Sequence, residues 1–273
     1  MLLILKAIII GIVEGITEYL PISSTGHMII VADLIDFKGN FADMFMIVIQ
    51  LGAILAVVFL YWDKIWNSLK NLMPGKWGFK LWMNMLIAFI PSAVIGLLFN
   101  DYIDEHLFGT VTVVAALIFG ALLMIFIENK YRKRKGINNI EEVNIRQAFI
   151  IGCFQCLALW PGMSRSASTI MGAWIVGLST VAAAEFSFFL ALPTMVAASA
   201  WTLLKKGVAI QTSTEVIALG VGFLVSFVVA YMVIEKFIAF LQKRPMRVFA
   251  IYRIFIGIVI TVLVAFNIIN VTP

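Results

Sequence analysis

Six blocks of about twenty apolar residues run through the 273-residue chain, at 42–61, 82–99, 111–127, 184–204, 216–234 and 249–269. A helix needs roughly 20 such residues to cross the hydrocarbon core of a bilayer, so each block is long enough to span. With 62% hydrophobic and 13% charged residues, a soluble domain of this length has too little interior to hide its apolar side chains. A soluble enzyme is excluded. Outer-membrane barrels are excluded as well, since their strands alternate over runs of roughly ten residues. The expected fold is therefore an all-α integral membrane protein. The apolar run from Leu2 to Val13 reads as part of the mature protein, because Glu14 and Glu18 follow it and no small-x-small cleavage pattern appears. Cys153 and Cys156 have no surrounding βαβ pattern and no Cys/His cluster, and they read as buried thiols rather than a redox or zinc site.

Two further apolar regions, 2–35 and 147–178, are interrupted by Pro21-Ile-Ser-Ser-Thr-Gly-His27 and Pro161-Gly-Met-Ser-Arg-Ser166. Each half is too short to span, so each region reads as a re-entrant helical hairpin whose polar tip must be shielded by protein or face a wet cavity. An internal repeat supports this. Gly11-x-x-Glu14 leading to Pro21-x-x-Ser24 is echoed by Gly152-x-x-Gln155 leading to Pro161-x-x-Ser164, and Phe45 to Gly52 falls against Phe186 to Pro193. The chain reads as one polytopic domain over 1–273, with repeat 1 at about 1–128 and repeat 2 at about 146–273. Each copy holds one hairpin and three spans, and an odd number of spans turns the second copy upside down, so the two tips can meet near the midplane.

Charge fixes the expected orientation. Lys64, Lys70, Lys76 and Lys80 lie in one segment, Lys130, Arg132, Lys133, Arg134, Lys135 and Arg146 in a second, and Lys236, Lys243, Arg244 and Arg247 in a third. The opposite side carries Lys38, Lys205 and Lys206, with Asp101, Asp104 and Glu105 in its loop from Asn100 to Thr110. The basic side is the cytoplasmic one by the positive-inside rule. The net charge of +5 thus reports topology, and no nucleic-acid partner is expected.

Ionisable groups in apolar surroundings cost about 2.5–3.5 kcal/mol each on insertion scales, so the few present are functional candidates. They gather at the two tips. Glu14 and Glu18 share one helical face, one turn apart, and can hold a divalent cation or share a proton. Ser23, Ser24 and Thr25 follow a helix-ending proline and can cap the next half-helix, whose first-turn N–H groups form an anion site; His27 follows on the same side, three residues after Ser24, where it can take the Ser24 proton or attack phosphorus itself while Ser24 holds the phosphate. At the second tip, Arg165 stands among Ser164, Ser166, Ser168 and Thr169, a grouping that suits phosphate oxygens. Lone Gln50 and Glu185 read as links between helices, and Arg253, a few residues inside the last span, reads as snorkelling to the cytoplasmic interface. Two carboxylates, a hydroxyl cluster, one histidine and one arginine suit phosphoryl transfer, and an embedded site implies a lipid-linked phosphate.

Glu14-Gly-Ile-Thr-Glu18-Tyr-Leu-Pro-Ile-Ser-Ser-Thr-Gly-His27 and Pro161-Gly-Met-Ser-Arg-Ser-Ala-Ser-Thr169 closely resemble the bacterial undecaprenyl-diphosphatase family linked to bacitracin resistance. Phe154-Gln-Cys-Leu-Ala-Leu-Trp160 and Ala184-Glu-Phe-Ser-Phe188 are similar to that family too, and the resemblance covers nearly the whole chain. It implies a multi-pass enzyme of the bacterial cell membrane that removes the terminal phosphate of undecaprenyl diphosphate to recycle the lipid carrier of cell-wall synthesis. It also implies a divalent cation, Mg²⁺ or Ca²⁺, at Glu14 and Glu18. Ser24 and His27 match the nucleophile or acid/base positions and Arg165 the phosphate-binding arginine, with Ser23, Thr25, Ser164, Ser166 and Thr169 as further phosphate ligands. One departure is Ala167, where many members have glycine. The partners expected are the polyprenyl diphosphate and membrane lipids, and a homodimer is compatible with the sequence. The integral acid-phosphatase superfamily shares a Ser-Gly-His motif but needs a histidine after its Ser-Arg pair, and none follows Ser164-Arg165. A lipid-phosphate transporter or flippase is the remaining alternative, because inverted repeats with broken helices are a transporter architecture.

The predicted orientation is checked by labelling intact cells with a membrane-impermeant maleimide. A cysteine at Gly109 should react from outside and one at Gly136 should not; the reverse pattern inverts the orientation.

Overall fold

The computed structural model describes residues 1–107, 109–132 and 136–266. Lys133, Arg134 and Lys135 of the basic loop lie outside the described residues, as do the side chains of Asp104 and Lys206. Among the described residues twelve α-helices follow one another: α1 (Leu2–Thr17), α2 (Ser24–Leu34), α3 (Asn40–Leu60), α4 (Trp62–Lys70), α5 (Trp77–Leu98), α6 (Asn100–His106), α7 (Thr110–Tyr131), α8 (Ile145–Gln155), α9 (Arg165–Ile175), α10 (Thr180–Lys206), α11 (Ser213–Lys243) and α12 (Arg247–Ala265). A 3₁₀ turn at Cys156–Leu159 follows α8. Among the described residues there is no β-strand, only an isolated bridge between Ile137 and Leu178.

Six of these helices, α3, α5, α7, α10, α11 and α12, are long and apolar enough to cross a membrane, and they coincide with the six apolar blocks. Helices α1, α2, α8 and α9 form the two interrupted regions and are short; the 11 residues of α2 or α9 extend only about 16 Å at 1.5 Å per residue. Two elements are additions to the sequence reading. Helix α4 forms where Trp62, Ile65, Trp66 and Leu69 recur at helical spacing inside a segment valued only for its lysines, and α6 forms in the acidic loop.

The short helices pack across the chain rather than along it. Helix α1 lies on α11, and α8 lies on α5. Both contacts use the glycine at the same place in the repeat. A Cβ on Gly11 would sit 2.7 Å from the carbonyl oxygen of Gly222, and one on Gly152 would strike the carbonyl of Ala88. The backbones therefore touch directly, which is how helices associate where no water is available to drive them together. The largest buried cluster runs from Tyr19, Ala53 and Val57 through Met85 and Met124 to Trp174, Phe186, Phe188 and Phe189, so both halves of the chain contribute to one interior.

Polar links close the basic end. Glu128 accepts from the backbone N–H of Met246 at 2.6 Å and of Arg247 at 2.7 Å, capping the first turn of α12. Lys64 pairs with Glu185 at 2.9 Å, so Glu185 links helices as the sequence suggests. Cys153, read as a buried thiol, is exposed on the bundle surface, and Cys156 is half-buried; both are free. A Cβ at Gly136 would meet the Gly177 carbonyl, so the labelling reporter for that loop is better placed at the exposed Asn138.

Replacing Gly11 with Leu pushes α1 off α11. Overpacking of this kind costs about 1–3 kcal/mol. The variant, like Gly152→Leu at the matching contact, should lose detergent-solubilised stability in a thermal scan, whereas Gly220→Leu, which meets nothing within 4 Å, should leave the transition in place.

Candidate active site

The two interrupted segments meet, and the chemistry gathers where they do. In the first tip, α1 ends with Glu18 still in helical conformation, its N–H bonded to the Glu14 carbonyl at 3.0 Å, so the two carboxylates are one turn apart as their spacing requires. Pro21 follows, and α2 begins after Ser23, whose hydroxyl accepts from Gly26 N–H at 3.4 Å. In the second tip, Ser164 caps α9 and accepts from Ala167 N–H at 3.3 Å. Both serines hold positive φ, 73° at Ser23 and 70° at Ser164. A side chain in that region costs on the order of 1–3 kcal/mol, and such residues concentrate at functional sites.

The caps also give a register in which the two segments can be compared. Matching Pro21 with Pro161 pairs Ser24 with Ser164, but the structurally equivalent caps are Ser23 and Ser164, in step with Gly11/Gly152 and Phe45/Phe186. In this register Ser24 corresponds to Arg165, and His27 to Ser168.

Glu18 is the centre of the site. One carboxylate oxygen accepts from Arg165 Nη2 at 2.9 Å, and the other accepts from the Ser24 hydroxyl at 2.6 Å. Arg165 also donates through Nη1 to the Ser187 carbonyl at 2.9 Å, and its guanidinium lies 5.7 Å from the centre of the Tyr19 ring. The Tyr19 hydroxyl is tied to the Ala53 carbonyl at 3.0 Å. Ser166 donates to the Leu20 carbonyl at 3.0 Å, a second tie between the tips. Glu18, Ser24, Arg165, Ser166 and Tyr19 are thus each held by a partner in one buried network.

A cavity of about 550 Å³ opens beside this cluster. Its polar end is lined by Glu18, Ser23, Ser24, Thr25, Ser164 and Arg165, with Gln50 alongside, and its remainder by side chains such as Phe89, Leu97, Leu159, Met195 and Trp201 from α5, α10 and the turn after α8. Between the two parts lie Gln155, Ser92 and Thr194, with Gln155 Nε2 donating to Ser92 Oγ at 2.6 Å and to Thr194 Oγ1 at 3.3 Å. Pro91 in α5 and Pro193 in α10 each break the hydrogen-bond ladder of a helix that contributes to the cavity wall. A polar end and an apolar corridor suit an amphiphile with an anionic head.

Not all of the expected residues face this cavity. Ser166 and Thr169, expected among the phosphate ligands, are fully buried and committed elsewhere, Thr169 to the Arg165 carbonyl at 2.9 Å and to Ser187 Oγ at 2.7 Å. His27 does not pair with Ser24. Its Nδ1 lies 2.8 Å from the Ser23 carbonyl and its Nε2 lies 2.9 Å from the Tyr252 hydroxyl. Arg253 does not snorkel. It is fully buried and donates from Nη2 to the carbonyls of Gly162 at 3.0 Å and Ala116 at 3.2 Å, which hold it between the second tip and α7. Ser187, Gln155 and Tyr252 are additions that sequence reasoning missed. Gln155 left a signal as the echo of Glu14, and Ser187 one as part of Ala184-Glu-Phe-Ser-Phe188; Tyr252 left none.

Glu14 is fully buried behind Glu18, and neither of its oxygens accepts a hydrogen bond from a protein donor. A buried carboxylate in that situation calls for a proton or a cation. Among the described residues no group of three or more His, Cys, Asp or Glu side chains gathers. Two carboxylates fit a hard cation that completes its sphere with hydroxyl, water or phosphate oxygens, the habit of Mg²⁺.

Comparison with known proteins adds to this geometry. The family model described as bacitracin resistance protein BacA matches residues 7–259. The chain is 58% identical to the undecaprenyl-diphosphatase of Clostridium tetani, over 99% of this chain and all of that protein. It is also 58% identical to that of Clostridium novyi, over 98% of each chain, and 56% identical to that of Thermoanaerobacter sp. strain X514, over 98% of this chain and 99% of the other.

Breaking the Glu18–Arg165 pair from one side leaves a buried charge alone, which costs about 3–5 kcal/mol. Arg165→Leu should lower the thermal transition in detergent accordingly, and Glu18→Gln added to it should recover part of the loss; additive losses would show that the two side chains do not interact.

Proposed function

We propose, because this chain belongs to the bacitracin resistance protein BacA family, that it is a multi-pass membrane phosphatase converting undecaprenyl diphosphate to undecaprenyl phosphate and inorganic phosphate, and so recycling the lipid carrier of cell-wall synthesis. The observation that carries the chemistry is the 2.6 Å contact from the Ser24 hydroxyl to Glu18, in the polar end of a cavity that also presents Arg165. Relatives named as undecaprenyl-diphosphatases at 56–58% identity favour hydrolysis over transport.

Ser24 Oγ attacks the terminal phosphorus while its proton passes to Glu18 Oε2. The Oγ–P bond forms, the bond from phosphorus to the bridging oxygen breaks, and undecaprenyl phosphate leaves with that oxygen. Water then attacks the phosphoserine, inorganic phosphate departs, and the Glu18 proton returns to Ser24. Arg165, Ser23, Thr25 and Ser164 bind the phosphate oxygens and disperse their charge. Glu14, with Glu18 beside it, would hold the divalent cation, which when bound offsets the repulsion between these carboxylates and the diphosphate. The isoprenoid chain leaves along the apolar corridor between α5 and α10.

The matched caps at Ser23 and Ser164 and the exchanged packing of α1 on α11 and α8 on α5 support two re-entrant hairpins in an inverted repeat within a single membrane domain. The side rich in Lys and Arg supports a cytoplasmic location for the loops after α4, α7 and α11, which opens the cavity to the outer face of the bacterial cell membrane.

Purified protein in detergent, where no gradient can drive transport, should release phosphate from undecaprenyl diphosphate with Mg²⁺ or Ca²⁺ present and stop when chelator is added. Ser24→Ala and Glu18→Gln should each lose on the order of 10²-fold or more in kcat, and the double variant little beyond the worse single. Absence of phosphate release from the parent protein would leave the transporter reading in its place, and chelator-resistant turnover would remove the cation.

A further inference from the structure

Ser24 can act only if the strained residue before it is held, and the restraint is unequal at the two tips. At the second tip, Ser168 Oγ donates to the carbonyl of the positive-φ Ser164 at 2.9 Å, closing the turn within α9 itself. The structurally equivalent position at the first tip is His27, and its Nδ1 meets the carbonyl of the positive-φ Ser23 at 2.8 Å. A carbonyl only accepts, so Nδ1 carries the hydrogen, and Nε2 of the neutral ring accepts the hydroxyl hydrogen of Tyr252 at 2.9 Å. The two rings are nearly parallel, 8° between planes at 5.6 Å. Both imidazole nitrogens are thereby engaged, and the ring does not line the cavity. The next residue of α12, Arg253, reaches the second tip through the Gly162 carbonyl. Consecutive residues of one helix thus brace both tips.

We propose that Tyr252 is a positioning residue for this site: through His27 it holds Ser23 in its left-handed conformation and so keeps the Ser24 hydroxyl against Glu18. The relay runs from the Tyr252 hydroxyl to His27 Nε2, from His27 Nδ1–H to the Ser23 carbonyl, and along one peptide to Ser24. Without the Tyr252 hydroxyl, Nε2 is left buried without a donor, the imidazole is free to turn, and the strained cap loses its support. The proposal rests on Ser24 acting as the attacking group.

Tyr252→Phe keeps the ring stack and deletes only the hydroxyl. In the full-length protein in detergent it should lower kcat for undecaprenyl diphosphate about five-fold, as the loss of one neutral hydrogen bond implies, with KM unchanged. In a His27→Ala background the same substitution should cost nothing further, because the relay is already cut. Amide hydrogen exchange over residues 22–28 should rise in Tyr252→Phe. Unchanged kcat, or the same fold loss in the His27→Ala background as in the parent, overturns the proposal. If the parent protein releases no phosphate, the phosphatase reading fails separately, and the exchange measurement still decides the relay: unchanged exchange over 22–28 refutes it.

Discussion

A charge pair inside a membrane protein holds only where its partners are fixed, and Glu18 with Arg165 is the pair around which this molecule is arranged. Taking a carboxylate and a guanidinium out of water costs several kcal/mol per ion, recovered only by close geometry and by satisfying the remaining donors and acceptors. Here the contact is 2.9 Å, the second Glu18 oxygen takes Ser24, and Arg165 finds the Ser187 carbonyl and the Tyr19 ring. The pair comes from two segments nearly 150 residues apart, and neither segment can keep its polar tip in an apolar layer without the other. Burial, tip-to-tip contact and the placing of the Ser24 hydroxyl are thus one event.

The two halves share a plan and differ in chemistry. Gly11 and Gly152 allow the same backbone contact, and Ser23 and Ser164 adopt the same strained cap. Substitution within that plan separates the roles: Glu14 stands where the second half has Gln155, Ser24 where it has Arg165, and His27 where it has Ser168. The first half supplies acids and the hydroxyl, and the second supplies the cation and the amide at Gln155 that bridges Ser92 and Thr194. The two interrupted segments thereby form a single asymmetric site.

The spanning helices were legible because hydropathy over about twenty residues is a local signal, and the tips because proline and polar residues stand out against it. Helix α4 escaped because its apolar positions are too few to register beside its lysines, although their spacing was visible. Helical spacing put Ser24 near His27, but spacing carries no information across the break at Pro21, where the chain turns Ser24 toward Glu18. The burial of Arg253 and the contacts of Ser187 and Tyr252 depend on carbonyls and side chains brought in from distant sequence, which no local pattern encodes. Arg253 lay close enough to a helix end that snorkelling was the cheaper expectation, but the carbonyls of Gly162 and Ala116 hold its guanidinium inside the bundle.

The claim that these contacts exist to activate Ser24 is tested most directly by following the transferred phosphate. Protein turning over undecaprenyl diphosphate labelled in its terminal phosphate can be quenched within single turnovers and its peptides read by mass spectrometry. Attack by Ser24 predicts acid-stable phosphate on that residue, appearing with the lipid monophosphate and decaying as inorganic phosphate is released. Label on His27, or label found only in free phosphate from the first turnover onward, would contradict it.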